Sequence, residues 1–163
     1  MILVRTGFRR LEIIDHDLVE ASNLNRQYYA LADIGKPKTA CLGQALLSIN
    51  PDVELTLHQQ TWSRETAPGL FKDCAIMVEA FDKATSKFDF VEYYRTRARH
   101  VVSGNGMAGM DMQGELPVRK AGNTIIVGDG ITDTADGHAP LAPRVMQCAS
   151  KMAGAILQLT LSK

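Results

Sequence analysis

The stretch IIDHDLVEASNLNRQ, residues 13 to 27, sets two carboxylates, a run of amides and a guanidinium directly behind an apolar run. In open α/β sheets ligands sit at the carboxyl ends of strands, so Asp15 is placed to accept hydrogen bonds from ribose hydroxyls. A turn-forming or helix-capping aspartate fits the same position. Ser22, Asn23, Asn25, Arg26 and Gln27 then crowd donors into one turn-like segment, and Arg26 can fork two oxygens of a phosphate.

Further on, DIGKPK sets Lys36 and Lys38 around Pro37 at the start of a helical pattern. A helix amino end disfavours cations, so a lysine there makes most sense if an anion shares the site, although exposed lysines usually serve solubility. The third element is MVEAFDK, an apolar run ending at Asp82. This carboxylate could cap the following helix, or could hold Mg²⁺, which takes one or two carboxylates beside substrate phosphates. Two strand-terminal aspartates, one arginine and one lysine are what a nucleoside triphosphate with magnesium would need.

These residues must be positioned by the elements around them. Residues 10–15, 53–59, 74–80, 99–103 and 123–128 are short β-favouring runs bounded by Gly, Pro, Asn or Asp. Helical patterns over 36–49 and 83–98 lie between them, the first with Ala40, Leu42, Ala45, Leu46 and Ile49 on one stripe. A last helix begins at Pro143 and carries Met146, Ala149, Ala153, Ile156 and Leu157 on one side. The alternation predicts an α/β fold, a mainly parallel sheet with helices packed on its faces.

With 163 residues, 45% of them hydrophobic, the expectation is one domain spanning the chain. Eighteen basic and eighteen acidic residues leave no global field to recruit nucleic acid or anionic lipid, so neither is an expected partner. Cys41, Cys74 and Cys148 lie far apart and form no C-x-x-C pair, which reads as reduced cysteines in a cytoplasmic protein with no zinc. No apolar stretch approaches the ~18 residues of a membrane span. None of His16, His58, His100 and His138 stands in a recognisable triad.

Taken in order, IIDHDLVEASNLNRQ, DIGKPK with its helix into INPDVEL, AIMVEAFDK and LAPRV resemble the ThiF, MoeB and HesA branch of the ubiquitin-activating-enzyme superfamily. The likeness covers almost the whole chain. GNGMAG, VGDG and LAPRV look most like the short ThiF-type proteins of sulfur-carrier activation for thiamine synthesis. The resemblance implies a Rossmann-like domain, an expected homodimer, and ATP-dependent adenylation of the C-terminal carboxylate of a ubiquitin-like sulfur carrier. It assigns Asp15 to the ribose, Asn23 and Arg26 to the phosphates, Lys38 to the α-phosphate region and Asp82 to Mg²⁺. Arg26, Lys38 and Asp82 would carry the catalysis.

That assignment agrees with electrostatics. A carboxylate approaching a polyanion meets repulsion of about 4 kcal/mol per contact near 4 Å at an effective dielectric of 20, which cations must offset. No general base is needed, because the attacking carboxylate is already ionised at neutral pH.

The sequence also departs from the family pattern. Only 14 residues precede Asp15, and MILVRTGF looks like the tail of the family's first helix. The first strand, the Gly-rich phosphate loop and a cross-dimer arginine are therefore expected to be missing, and ATP binding by this chain to be poor or absent. A non-catalytic module that binds a carrier or a paralogue is one alternative; a MoeB-like adenylyltransferase of the molybdopterin-synthase carrier is another. GNGMAG with Asp129 also fits a dinucleotide-binding pattern, but Gly114 and Pro117 in the segment after it speak against the helix such a loop must open.

Overall fold

The structure is a computed structural model that describes residues 1–109, 115–132, 137 and 139–161. The chain divides into two compact units, Met1–Phe71 and Lys72–Lys163.

The first unit holds helix α1 (Ile2–Arg5), strand β1 (Arg10–Ile14), helix α2 (Lys38–Ile49) and strand β2 (Glu54–His58), with short 3-10 turns at Ala21–Asn23, Leu31–Asp33 and Ala67–Gly69. β1 and β2 pair in parallel, Leu11 opposite Leu55 and Ile13 opposite Leu57. Val4, Leu46 and Val53 form the buried core, with Leu11, Ile13, Leu42, Ile49 and Leu55 packed against it. Gly43 lets α2 approach the sheet closely, since a Cβ there would stand 2.8 Å from Leu57 Cδ1. After β2 the chain returns to the sheet at Phe71, whose N–H donates to Glu12 Oε1 at 2.9 Å. His58 Nε2 meets the same oxygen at 2.8 Å.

Two expectations for α2 need correction. The helix opens at Lys38, not at residue 36. Pro37 bridges Leu18 in antiparallel fashion and the Lys36 carbonyl accepts the Val19 N–H, which holds 36 and 37 in extended backbone. Ala40 is exposed, and the buried positions are Lys38, Thr39, Cys41, Gly43 and Leu46.

The second unit holds β3 (Ile76–Glu79), α3 (Ala84–Tyr94), β4 (His100–Gly104), β5 (Val118–Ala121), β6 (Thr124–Val127) and α4 (Ala142–Leu161). Its sheet runs β3-β4-β6-β5, with the first three strands parallel and β5 antiparallel to β6. The α/β expectation holds, and helices cover both faces. A Cβ on Gly104 would meet Met152 and Cys148 of α4, whereas Ser103, pointing the other way by strand alternation, bonds Glu79 beside Lys87 of α3. Sequence reasoning missed β5, whose four residues are all exposed and show no alternation, although Gly122 and Asn123 supply its two-residue turn. Asn123 Nδ2 also donates to the carbonyls of Arg95 and Ala98, tying the end of α3 to the start of β6.

The buried stripe of α4 is rotated from the expected one. Met146 and Ala149 are exposed, and the stripe runs through Arg144, Cys148, Met152, Ala155 and Ile156. The polar anchors decide this: Arg144 is drawn inward by Asp129, and the Cys148 thiol lies 3.6 Å from the Val127 carbonyl. Ala153 and Ile156 are buried as anticipated. No helix among the described residues is long and apolar enough to cross a membrane.

Candidate functional site

Asp15 follows the last residue of β1, and its N–H donates to the His58 carbonyl, so it stands at the carboxyl end of the parallel pair. Its Oδ1 accepts the Asp17 N–H at 2.9 Å, a local turn that leaves Oδ2 for a ligand hydroxyl. Asn23 is buried, and its Oδ1 accepts the Glu20 N–H at 2.9 Å, which fixes the amide group and leaves Nδ2 as its donor. Arg26 donates from Nη1 to the Ser22 carbonyl at 2.9 Å and to Asn25 Oδ1 at 2.7 Å. Both bonds use one nitrogen, so the other edge of the fork is what a phosphate would meet.

Lys38 opens α2 with its side chain only 10% exposed. The anion that a lysine at this helix end suggested is supplied by the protein, since Lys38 Nζ lies 2.7 Å from Asp17 Oδ2. The backbone reinforces the pair, with the Lys38 N–H donating to the Asp17 carbonyl at 3.0 Å. Asp17 thereby joins Asp15 to Lys38 and puts the ammonium beside the end of β1. Lys36 instead points to Asp33 at 3.7 Å and is largely exposed. Tyr29, not anticipated from sequence, places its hydroxyl 3.4 Å from the Lys38 carbonyl. Burial first, then the charge of Asp15, pushes its phenol up to about 12, so it stays neutral.

In the second unit, Asp82 is exposed and lies three residues beyond β3. It does not cap α3, whose N-cap is Lys83 with no side-chain cap bond. The turn that carries Asp82 is held by Glu79, which sequence reasoning left without a role. The Glu79 side chain is fully buried; it accepts from the Phe81 N–H, from Ser103 Oγ and, at 2.9 Å, from Lys87 Nζ. Lys87 also donates to the Gly104 carbonyl.

Asp129 closes a second network. It accepts the N–H groups of Ile131 and Thr132 and the Thr132 hydroxyl, and pairs with Arg144 Nη2 at 2.7 Å. Burial by itself would raise this carboxyl, but the Thr132 and Ile131 amides, the Thr132 hydroxyl and Arg144 outweigh it and hold it below the ordinary aspartate value. A depressed folded-state pKa contributes stability that is present above the unfolded value and disappears as pH falls through the folded one. The stability gap between wild type and Asp129→Asn is therefore expected to be constant from pH 7 to about 5 and to shrink below about pH 4, as measured by urea unfolding across pH.

GNGMAG serves packing. Residues 105–109 form no helix. The Asn105 carbonyl accepts the Gly130 N–H and the Gly106 carbonyl accepts the Asp129 N–H, so the GNG and VGDG segments lie against each other. A Cβ on Gly106 would overlap Asp129 and Gly130, and one on Gly128 would overlap the Asn105 carbonyl. Residues 110–114 and 133–136 and His138 lie outside the described residues.

Within the first unit a buried ammonium, one edge of a guanidinium and a buried amide are the donor types that phosphate oxygens take. In the second unit Asp82 is an exposed carboxylate, the ligand type a hard cation takes.

A Saccharomyces cerevisiae protein named tRNA threonylcarbamoyladenosine dehydratase 1 is 32% identical over 112 residues, covering 66% of this chain and 26% of its own length. The Arabidopsis thaliana adenylyltransferase and sulfurtransferase MOCS3 is 30% identical over 119 residues, covering 72% of this chain and 25% of its own. The chain thus spans about a quarter of the length of these curated relatives. Among solved structures, E. coli tRNA N6-threonylcarbamoyladenosine dehydratase TcdA in complex with ATP superposes with a TM-score of 0.76 at 18% identity, covering 98% of this chain and 80% of that one. E. coli MccB with ATP gives 0.73 at 20% identity, covering 96% and 50%. Both share the fold. The family match runs from residue 1 to residue 157, across β1, the SNLNRQ turn, Lys38, Asp82 and α4, and the chain belongs to the ThiF family.

Proposed function

We propose that the chain carries the nucleotide site of an ATP-dependent adenylyltransferase that activates a carboxylate, and that its substrate is the C-terminal carboxylate of a ubiquitin-like sulfur carrier of the ThiS type. The observation that carries this reading is the buried ammonium of Lys38 held at the carboxyl end of β1 beside Asp15. The two units act in this proposal as one nucleotide-binding domain, in the cytoplasm and as a homodimer.

Asp15 accepts the ribose hydroxyls, Asn23 and Arg26 hold the phosphates, and Lys38 draws charge from the α-phosphate region as the carboxylate attacks. Asp82 is the carboxylate for Mg²⁺, which when bound neutralises phosphate charge. The work of these residues is positioning and charge stabilisation: they align the carboxylate with the α-phosphorus and offset negative charge on the departing pyrophosphate.

A second reading is favoured by the relatives named as tRNA threonylcarbamoyladenosine dehydratases. A threonine joined through its amino group retains a free carboxylate, so the same site would activate a carboxylate on RNA. This reading sets aside the expectation, drawn from balanced charge, that no nucleic acid is a partner.

Exchange of labelled pyrophosphate into ATP tests the proposal. Exchange that depends on the carrier supports the first reading, and exchange that depends on modified tRNA supports the second. Carrier binding with no exchange supports the non-catalytic module. Where exchange occurs, Arg26→Ala or Asp82→Ala is expected to reduce it at least about 100-fold with the fold intact by circular dichroism. Parental rates in both variants remove the site assignment.

A further inference from the structure

We propose that Asp17 is a positioning residue that occupies the phosphate place on Lys38 and gives it up when a polyphosphate arrives. The inference rests on the reading of Lys38 as a phosphate-binding group.

Lys38 opens a helix, where the aligned peptide dipoles disfavour a cation, and its side chain is 10% exposed. An ammonium so withdrawn from water needs an anion in every state of the protein. Asp17 Oδ2 provides one at 2.7 Å, and the antiparallel bridge between Leu18 and Pro37 fixes the two backbones so that the pair forms without a search. Asp17 itself is 47% exposed at the side chain and its Oδ1 lies 3.2 Å from Nε2 of the exposed His16, so its carboxylate has a surface position outside the pair once another anion takes the ammonium. A carboxylate left within a few ångströms of incoming phosphate oxygens would repel them. The pair therefore keeps the lysine ordered in the ligand-free protein and sets how tightly phosphate is held.

The test compares wild type with Asp17→Asn, using inorganic triphosphate as the probe, calorimetry for affinity and thermal unfolding for stability. The variant is expected to bind triphosphate about tenfold more tightly, because a competing anion is gone. It should also unfold at a lower temperature when free, and recover that loss when triphosphate is added. A lower unfolding temperature with unchanged or weaker affinity would mean an ordinary structural ion pair and overturns the proposal. Should the variant fail to fold, the wild type decides by NMR: triphosphate must move both the Lys38 side-chain nitrogen and the Asp17 carboxyl carbon, and a stationary Asp17 signal overturns it. The two readings fail separately. Pyrophosphate exchange with equal triphosphate affinities removes Asp17's role alone, whereas a tenfold affinity gain without exchange supports Asp17 and removes adenylation.

Discussion

Replacing Glu79 with alanine is expected to destabilise the Lys72–Lys163 unit by about 3–5 kcal/mol, the cost of leaving one member of a buried ion pair alone. The side chain has no exposed surface, and Lys87 opposite it is 17% exposed. Truncation takes the same acceptor from three groups at once: the Lys87 ammonium, which keeps only the Gly104 carbonyl, the Ser103 hydroxyl and the Phe81 N–H. They belong to α3, to β4 and to the turn before α3, so the loss is cooperative across the unit. Glu79→Gln keeps an acceptor oxygen for two of the three groups, turns the other oxygen into an amide donor and removes the charge, and it should cost less than the alanine change. Hydrogen exchange of the β3 and β4 amides, read beside urea unfolding, measures both variants. A loss below about 1 kcal/mol for the alanine change would show that the network contributes little.

Gly128→Ala is expected to be the most damaging single substitution in the loop region, costing more than about 3 kcal/mol or abolishing folding. Two causes act together. The backbone at Gly128 has φ 135, where L side chains are strained, and the added methyl would overlap the Asn105 carbonyl. Gly122→Ala is the milder reference, since Gly122 has a positive φ of 60, within the left-handed region L residues can adopt, and no atom within 4 Å of a Cβ. It should therefore lose only about 1 kcal/mol. Equal losses from the two variants, by urea unfolding, would show that steric overlap at the GNG and VGDG crossing contributes nothing.

The strands around residues 10–14, 54–58, 76–79, 100–104 and 124–127 were legible because short β-favouring runs end at turn residues, and the three longer helices because their patterns are helical. What was not legible depends on partners distant in sequence. The start of α2 is decided by Pro37 meeting Leu18, nineteen positions away, which no local pattern reports. The face of α4 is set by Asp129 drawing Arg144 inward, so a charged residue leads the buried stripe. Glu79 reads in sequence as an ordinary strand-end carboxylate, and only Lys87 and Ser103 make it a buried anchor. The same holds for the candidate site. The positions of Asp15, Asn23, Arg26 and Lys38 are written in one motif and one short segment. The engagement of Lys38 by Asp17 is not, because it requires the chain to fold back on itself.

The outermost strand of the four-stranded sheet, β5, has every residue exposed and carries Arg119 and Lys120. Another molecule approaching that border to extend the ladder would have to desolvate two cations with no carboxylate offered in return. The border is thus guarded against fibre-like stacking at high protein concentration.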